Sequence, residues 1–140
     1  MGDMSKVATV AVCHQVPLQY VGATGETFTL DAEFRYHPND PYAVSAILRT
    51  AGQEVTWTFA RDLLGEGRYE PTGEGDVHVW PCLSSSGTAV VVVELTSPDG
   101  GILVQADSRL IDEFVRATLD VVPAGSEAVD LDGVLAALLA

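Results

Sequence analysis

Glu26-Thr27-Phe28-Thr29-Leu30-Asp31-Ala32-Glu33-Phe34-Arg35-Tyr36 alternates strictly, with Phe28, Leu30, Ala32, Phe34 and Tyr36 on one side and Thr27, Thr29, Asp31, Glu33 and Arg35 on the other. Successive side chains of an extended chain point to opposite faces, so this stretch is a strand with one face in a core and one toward water. The same period recurs around Val7 to Val16, from Ala43 to Arg49, and in Val55, Trp57 and Phe59, with a turn at Ala51-Gly52. Val77 and Val79 alternate with His78 and Trp80 as far as Pro81, which is expected to stop that strand. Ala89 to Thr96 is a β-branched run suited to a sheet interior. Ser97-Pro98-Asp99-Gly100-Gly101 then reads as a turn, so Ile102 to Ala106 pairs back as a hairpin. About seven strands are expected.

Helical spacing enters in three places. Ala60 to Leu64 reads as one turn closed by Gly65, followed by a Gly-rich loop from Glu66 to Glu74 through which no strand is expected to continue. Asp107 or Ser108 can cap a helix from Arg109 to about Val121, whose apolar face carries Leu110, Ile111, Phe114, Val115, Ala117 and Leu119, and which Pro123 and Gly125 end. A last amphipathic helix is expected from Asp130, with Leu131, Val134, Leu135, Leu138 and Leu139 on its stripe. The architecture expected is α+β, an antiparallel sheet first and the longer helices gathered at the end, in a single domain spanning 1–140.

Composition narrows the partners. Seven Lys+Arg against twenty Asp+Glu leave a formal net charge of −13. That field repels phosphate backbones and anionic membrane surfaces over distances comparable to a Debye length, so neither nucleic acid nor lipid is expected as a partner. The plain meaning of such a surplus is a solvated surface; the functional one is attraction to a basic patch on another protein. Cys13 and Cys82 form no CxxC pair and are expected to be ordinary buried thiols in a reducing cytoplasm. The apolar stretch after Lys6 is too short for a signal peptide, Lys6 stands where N-myristoylation wants Ser or Thr, and no run approaches the ~20 apolar residues of a membrane span. Direct membrane insertion is therefore not expected.

No catalytic residue, metal or cofactor is expected. His14, His37 and His78 fall in no HExxH or His-x-His pattern. Asp76 and His78 share a strand face near Trp80, but a nucleophile and an oxyanion hole are missing, and a partly exposed strand histidine is the simpler role. Ser84-Ser85-Ser86-Gly87 lacks the nucleophile elbow. Gly65, Gly67, Gly73 and Gly75 suggest a phosphate cradle, yet Glu66, Glu70 and Glu74 among them would repel the anion. Trp57, Phe59 and Trp80 at alternating positions fit a core better than a platform for stacked bases.

Three segments, Asp40-Pro41-Tyr42-Ala43-Val44, Trp57-Thr58-Phe59-Ala60-Arg61-Asp62-Leu63-Leu64 and Gly75-Asp76-Val77-His78-Val79-Trp80-Pro81, resemble in order and spacing the SsgA-like family of actinomycete sporulation and cell-division proteins. Arg68 departs from the apolar residue expected after Glu66-Gly67. The resemblance implies strongly curved, whirly-like sheets, a homotrimer, and a non-enzymatic adaptor that helps recruit or position the tubulin-like division GTPase FtsZ at septal sites. Its implied partners are FtsZ, an FtsZ-associated division protein, or another family member. The same architecture also occurs in single-strand nucleic-acid binders, and that module is the alternative function, with a small-ligand barrel more remote. Candidate partner contacts are Asp40, Tyr42, Arg61, Asp62, Asp76, His78 and Glu127, all expected on the surface. Trp57, Phe59, Leu63, Val77, Val79 and Trp80 are expected as the structural core of the motifs.

Overall fold

The computed structural model describes residues 12–127. Along them run β1 (Val12–Gln15), β2 (Leu18–Val21), β3 (Thr27–Tyr36), β4 (Ala43–Thr50), β5 (Gln53–Ala60), α1 (Arg61–Gly67), β6 (Thr72–Glu74), β7 (Val77–Leu83), β8 (Ala89–Ser97), β9 (Gly100–Asp107) and α2 (Ser108–Val121). The N-terminal part of the first expected strand and the helix expected from Asp130 lie outside the described residues.

The strands form one curled antiparallel sheet in the order β5-β4-β3-β2-β9-β8-β7-β6, with β1 also paired to β3. The decisive alternating stretch is the hinge of this sheet. Its first half pairs with β2, as Leu18 to Leu30, and its second half with β1, as Gln15 to Glu33, in one unbroken register. Between them Val16 donates to the Ala32 carbonyl at 3.0 Å. Pro17 falls opposite Asp31, at a position of the register whose N–H would point away from β3, so its missing donor costs this ladder nothing.

Nine strands are present among the described residues, where seven were expected of the chain. The two extra ones, β2 and β6, are only four and three residues long, too short to show a period. β6 runs through the supposed Gly-rich loop and returns to β7 across Gly75, whose φ of 61° suits a two-residue hairpin turn. Pro81 does not stop β7, which pairs with β8 through to Leu83. β6 covers β7 only up to Val79, so Pro81 lies where the strand has a free edge and no ladder bond is lost.

The core lies between the inner face of the sheet and the two helices. Phe34, Tyr36, Leu64, Val79, Val91, Ile111, Phe114 and Val115 are fully buried there. Phe114 of α2 meets Phe34 edge-on at 5.4 Å and the His14 ring at 5.6 Å. Asp107 caps α2 by accepting from Arg109 N at 2.8 Å, as the sequence suggests. Phe28 is the exception within its stripe: it is 56% exposed and leans on Tyr20 at 6.2 Å. The thiols of Cys13 and Cys82 are exposed, not buried, since both belong to the outer face of the sheet.

α1 does not end at Gly65 but continues to Gly67. Gly67 touches β7 so closely that an added Cβ would stand 2.2 Å from Cγ1 of the fully buried Val79, whereas one on Gly65 would meet Val115 at an ordinary 3.9 Å. The two neighbouring glycines therefore differ in kind. Gly67→Ala should lower stability by about 1–3 kcal/mol, and Gly65→Ala should raise it by up to about 1 kcal/mol through helix propensity; urea midpoints of the two variants check the opposite signs.

Candidate functional site

Arg61 was expected on the surface and is instead 2% exposed. Its position follows from the chain path: β5 ends at Ala60, and the Arg61 amide donates to the Tyr42 carbonyl at 2.7 Å, which turns the first residue of α1 inward. The guanidinium lies over the Tyr36 ring, 5.1 Å from its centroid. It donates from Nη1 to the carbonyls of Thr118 and Val122, at 3.1 and 2.7 Å, and from Nη2 to Glu127 Oε2 at 2.9 Å. Those carbonyls lie at the C-terminal end of α2, where the negative end of the helix dipole favours a cation; the Thr118 carbonyl also accepts the Val122 amide at 3.0 Å.

Glu127 completes the clasp and is likewise turned inward. Its Oε1 accepts from Gly125 N at 2.6 Å, and its own carbonyl accepts from the Tyr42 hydroxyl at 2.5 Å. Its backbone hydrogen bonds and the Arg61 guanidinium hold the Glu127 carboxyl below the ordinary glutamate value. Tyr42, Arg61 and Glu127, three of the expected partner contacts, are thus brought together, but into an internal lock. Tyr42 alone keeps substantial exposure, 51%, on the outside of it.

The other four candidates stay on the surface and in separate places. Asp40 occupies the turn before β4, and Asp62 the first turn of α1. Asp76 sits in the β6–β7 turn, where its carbonyl accepts from Thr96 N at 2.9 Å and its side chain is left to solvent. His78 projects from the outer face of β7 and meets Glu94 at 3.6 Å. Together with Trp80, Pro71, Thr72 and Gly73 this pair lines a shallow groove.

Of the expected motif core, Phe59, Leu63, Val77 and Val79 are buried. Trp57 is half-buried against the core, its strand being the last of the sheet. Trp80 is half-buried on the opposite face, in register with Val92 across the sheet, because it alternates with the inward Val79.

The family described as Streptomyces sporulation and cell division protein, SsgA, matches residues 30–127. The chain belongs to the SsgA family. The sporulation-specific cell division protein SsgB of Streptomyces coelicolor is 43% identical over 129 residues, covering 90% of this chain and 93% of its own. SsgB of Frankia casuarinae is 40% identical, with 92% of both chains covered. Two solved structures superpose with a TM-score of 0.80 each. One, from work titled "Mutations in SsgB correlate to longitudinal cell division during sporulation of Streptomyces coelicolor", is 40% identical and covers 85% of this chain and 94% of that one. The other, an SsgA-like sporulation-specific cell division protein from Thermobifida fusca, is 34% identical and covers 89% and 93%.

In this SsgA-family chain the motif Trp57 to Leu64 supplies the clasp's cation, and the motif Asp40 to Val44 its tyrosine. A second buried polar centre escaped the sequence reading. Glu33, 6% exposed on the outer sheet face, accepts from Gln15 at 2.8 Å and from Arg35, with Arg49 at 3.8 Å. Desolvation pushes its carboxyl upward, but the hydrogen bonds from Arg35, the Cys13 thiol and Gln15 outweigh it and hold Glu33 below the ordinary value. The signal was the pair of arginines flanking an acid at strand spacing, visible only once β3 and β4 are set in register. Among the described residues no cluster of His, Cys, Asp and Glu could hold a metal ion.

Removing the clasp's cation should be costly. Arg61→Met removes the guanidinium from the Glu127 carboxylate and from the Thr118 and Val122 carbonyls, leaving the carboxylate buried with only the Gly125 amide and no countercharge, and an expected loss of about 3 kcal/mol or more follows; urea denaturation measures it. The depressed Glu127 value means that its contribution is complete above the ordinary carboxylate range and disappears as pH falls through the lower folded value. Glu127→Gln should therefore be less stable than the parent at neutral pH, with the two midpoints converging in acid.

Proposed function

We propose that this protein is a non-enzymatic adaptor of sporulation-specific cell division, which helps recruit or position the FtsZ machinery at septal sites on the cytoplasmic side. The observation that carries the reading is that relatives named as sporulation-specific cell division proteins match over nine-tenths of both chains. Their names describe division proteins, not enzymes, and the candidate residues of this chain are consistent with action by contact. Asp40, Asp62, Asp76 and His78 are exposed on three separate loops or element ends and form no catalytic constellation with one another.

The mechanism rests on charge and number. Exposed carboxylates on a body of net charge −13 attract a basic surface of a partner, FtsZ itself, an FtsZ-associated protein or another family member. In a homotrimer each weak contact is presented three times, and the second and third engage at the high effective concentration set by the first. No helix among the described residues is long and apolar enough to cross a membrane, so the reading asks only for protein partners.

Charge reversal at Asp40, Asp62 and Asp76 together should reduce co-purification of the division machinery from sporulating cells. It should change stability at each site by no more than about 0.5 kcal/mol, because these side chains are solvated. Unchanged co-purification and normal septal FtsZ in cells carrying the folded triple variant would refute the proposed contacts. Light scattering at micromolar concentration should give a trimer mass; a monomer mass would remove the multivalent step.

A further inference from the structure

Of the seven Lys and Arg residues in this acidic chain, Arg68, Arg109 and Arg116 line one groove, about 310 Å³ in volume, with Tyr69, Ser108 and Asp112. It lies where the end of α1 passes the outer side of α2. Residues 109, 112 and 116 fall on one stripe of α2 at i, i+3 and i+7 spacing, so the helix itself aligns the two arginines. Arg68 faces them from the other wall. It is the residue that departs from the apolar pattern of the family resemblance, and the division reading makes no use of it.

The charges in this groove are not balanced by their contacts. Asp112 serves two guanidiniums, accepting from Arg68 at Oδ1 and from Arg116 Nε at Oδ2, 2.7 Å. Arg109 lies a loose 3.7 Å from Asp107, whose carboxylate is already accepting the Arg109 backbone amide as the helix cap. The side chains of Arg109 and Arg116 are 85% and 71% exposed, so both have free donors. Arg68 is fixed differently: Nε donates to the Gly65 carbonyl at 3.0 Å, and its guanidinium stacks 4.7 Å from the centre of the Tyr69 ring. Tyr69 is itself 70% exposed.

We propose that this groove docks an acidic peptide segment of a partner protein, with carboxylates on Arg109 and Arg116 and an apolar side chain on the Tyr69 face. Arginine presents paired donors that match a carboxylate, and two exposed arginines beside an exposed aromatic suit a short segment with alternating acidic and apolar residues. A polyphosphate chain is a poorer fit. It would extend past the groove onto Asp62, Glu66 and Glu70, which are exposed on the α1 side, whereas a peptide carries its charges only where its sequence puts them. The proposal does not depend on the division role, and its failure would leave that role untouched.

The test uses the full chain and a fluorescein-labelled short peptide in which Asp or Glu alternates with apolar residues including Phe, followed by anisotropy at low and high salt. Saturable binding that weakens with salt is expected. Arg109→Glu with Arg116→Gln should weaken it about a hundredfold, and Tyr69→Ala about fivefold. Arg109→Glu alone, at the most exposed position, keeps the experiment informative if the double variant does not fold, and about tenfold weakening is expected of it. No saturable binding, binding unaffected by Arg109→Glu, or equal binding of the peptide with Lys replacing every acid or of a single-stranded oligonucleotide would overturn the proposal.

Discussion

The guanidinium of Arg61 is the point at which the separate parts of this protein meet. It packs on Tyr36 from the end of β3, is aimed inward by the bond of its own backbone amide to Tyr42 just before β4, caps the C-terminus of α2, and holds the segment that reaches Glu127. A buried cation is tolerated only when its desolvation is repaid by well-placed acceptors, and here a helix terminus supplies two and a carboxylate the third. Its Nε is buried with no hydrogen-bond partner among the described residues, which is a cost the other contacts must cover. The order of the motif follows from this. Phe59 and Leu63 bury the junction between β5 and α1, and the residue between them that would ordinarily be solvated becomes the clasp.

What the clasp takes inward it removes from the surface available to partners. Glu127 and Arg61 are occupied with each other, so the contact surfaces proposed for this SsgA-family member are drawn from what the fold leaves exposed: the acidic turn and helix positions Asp40, Asp62 and Asp76, with His78, and separately the arginine groove beside α2. These surfaces have opposite character. A molecule that offers acid in one place and base in another is suited to hold two different partners at once, which is the physical content of an adaptor.

Much of this was readable from spacing alone. The alternation over Thr27 to Tyr36 placed Ala32, Phe34 and Tyr36 inside, and the helical stripe from Leu110 to Leu119 with its Asp107 cap stands as expected. Local period fails where an element is short or where the deciding partner is distant. β2 and β6 have too few residues to show a period, Pro81 is permitted by an edge that only the topology creates, and Gly67 is demanded by Val79 in another strand. The site was the least legible part for the same reason. Charged residues are exposed by default, and nothing near Arg61 announces that its acceptor lies 66 residues later.

The central claim is that this protein works by contact through its exposed acidic positions while Arg61 and Glu127 hold the fold. In-cell photo-crosslinking from position 76, compared with position 127, tests it most directly. The account predicts an adduct with a division protein from position 76, in sporulating cells, and only intramolecular products from position 127. An intermolecular division-protein adduct from position 127 with none from position 76, or nucleic acid as the main product, would contradict it.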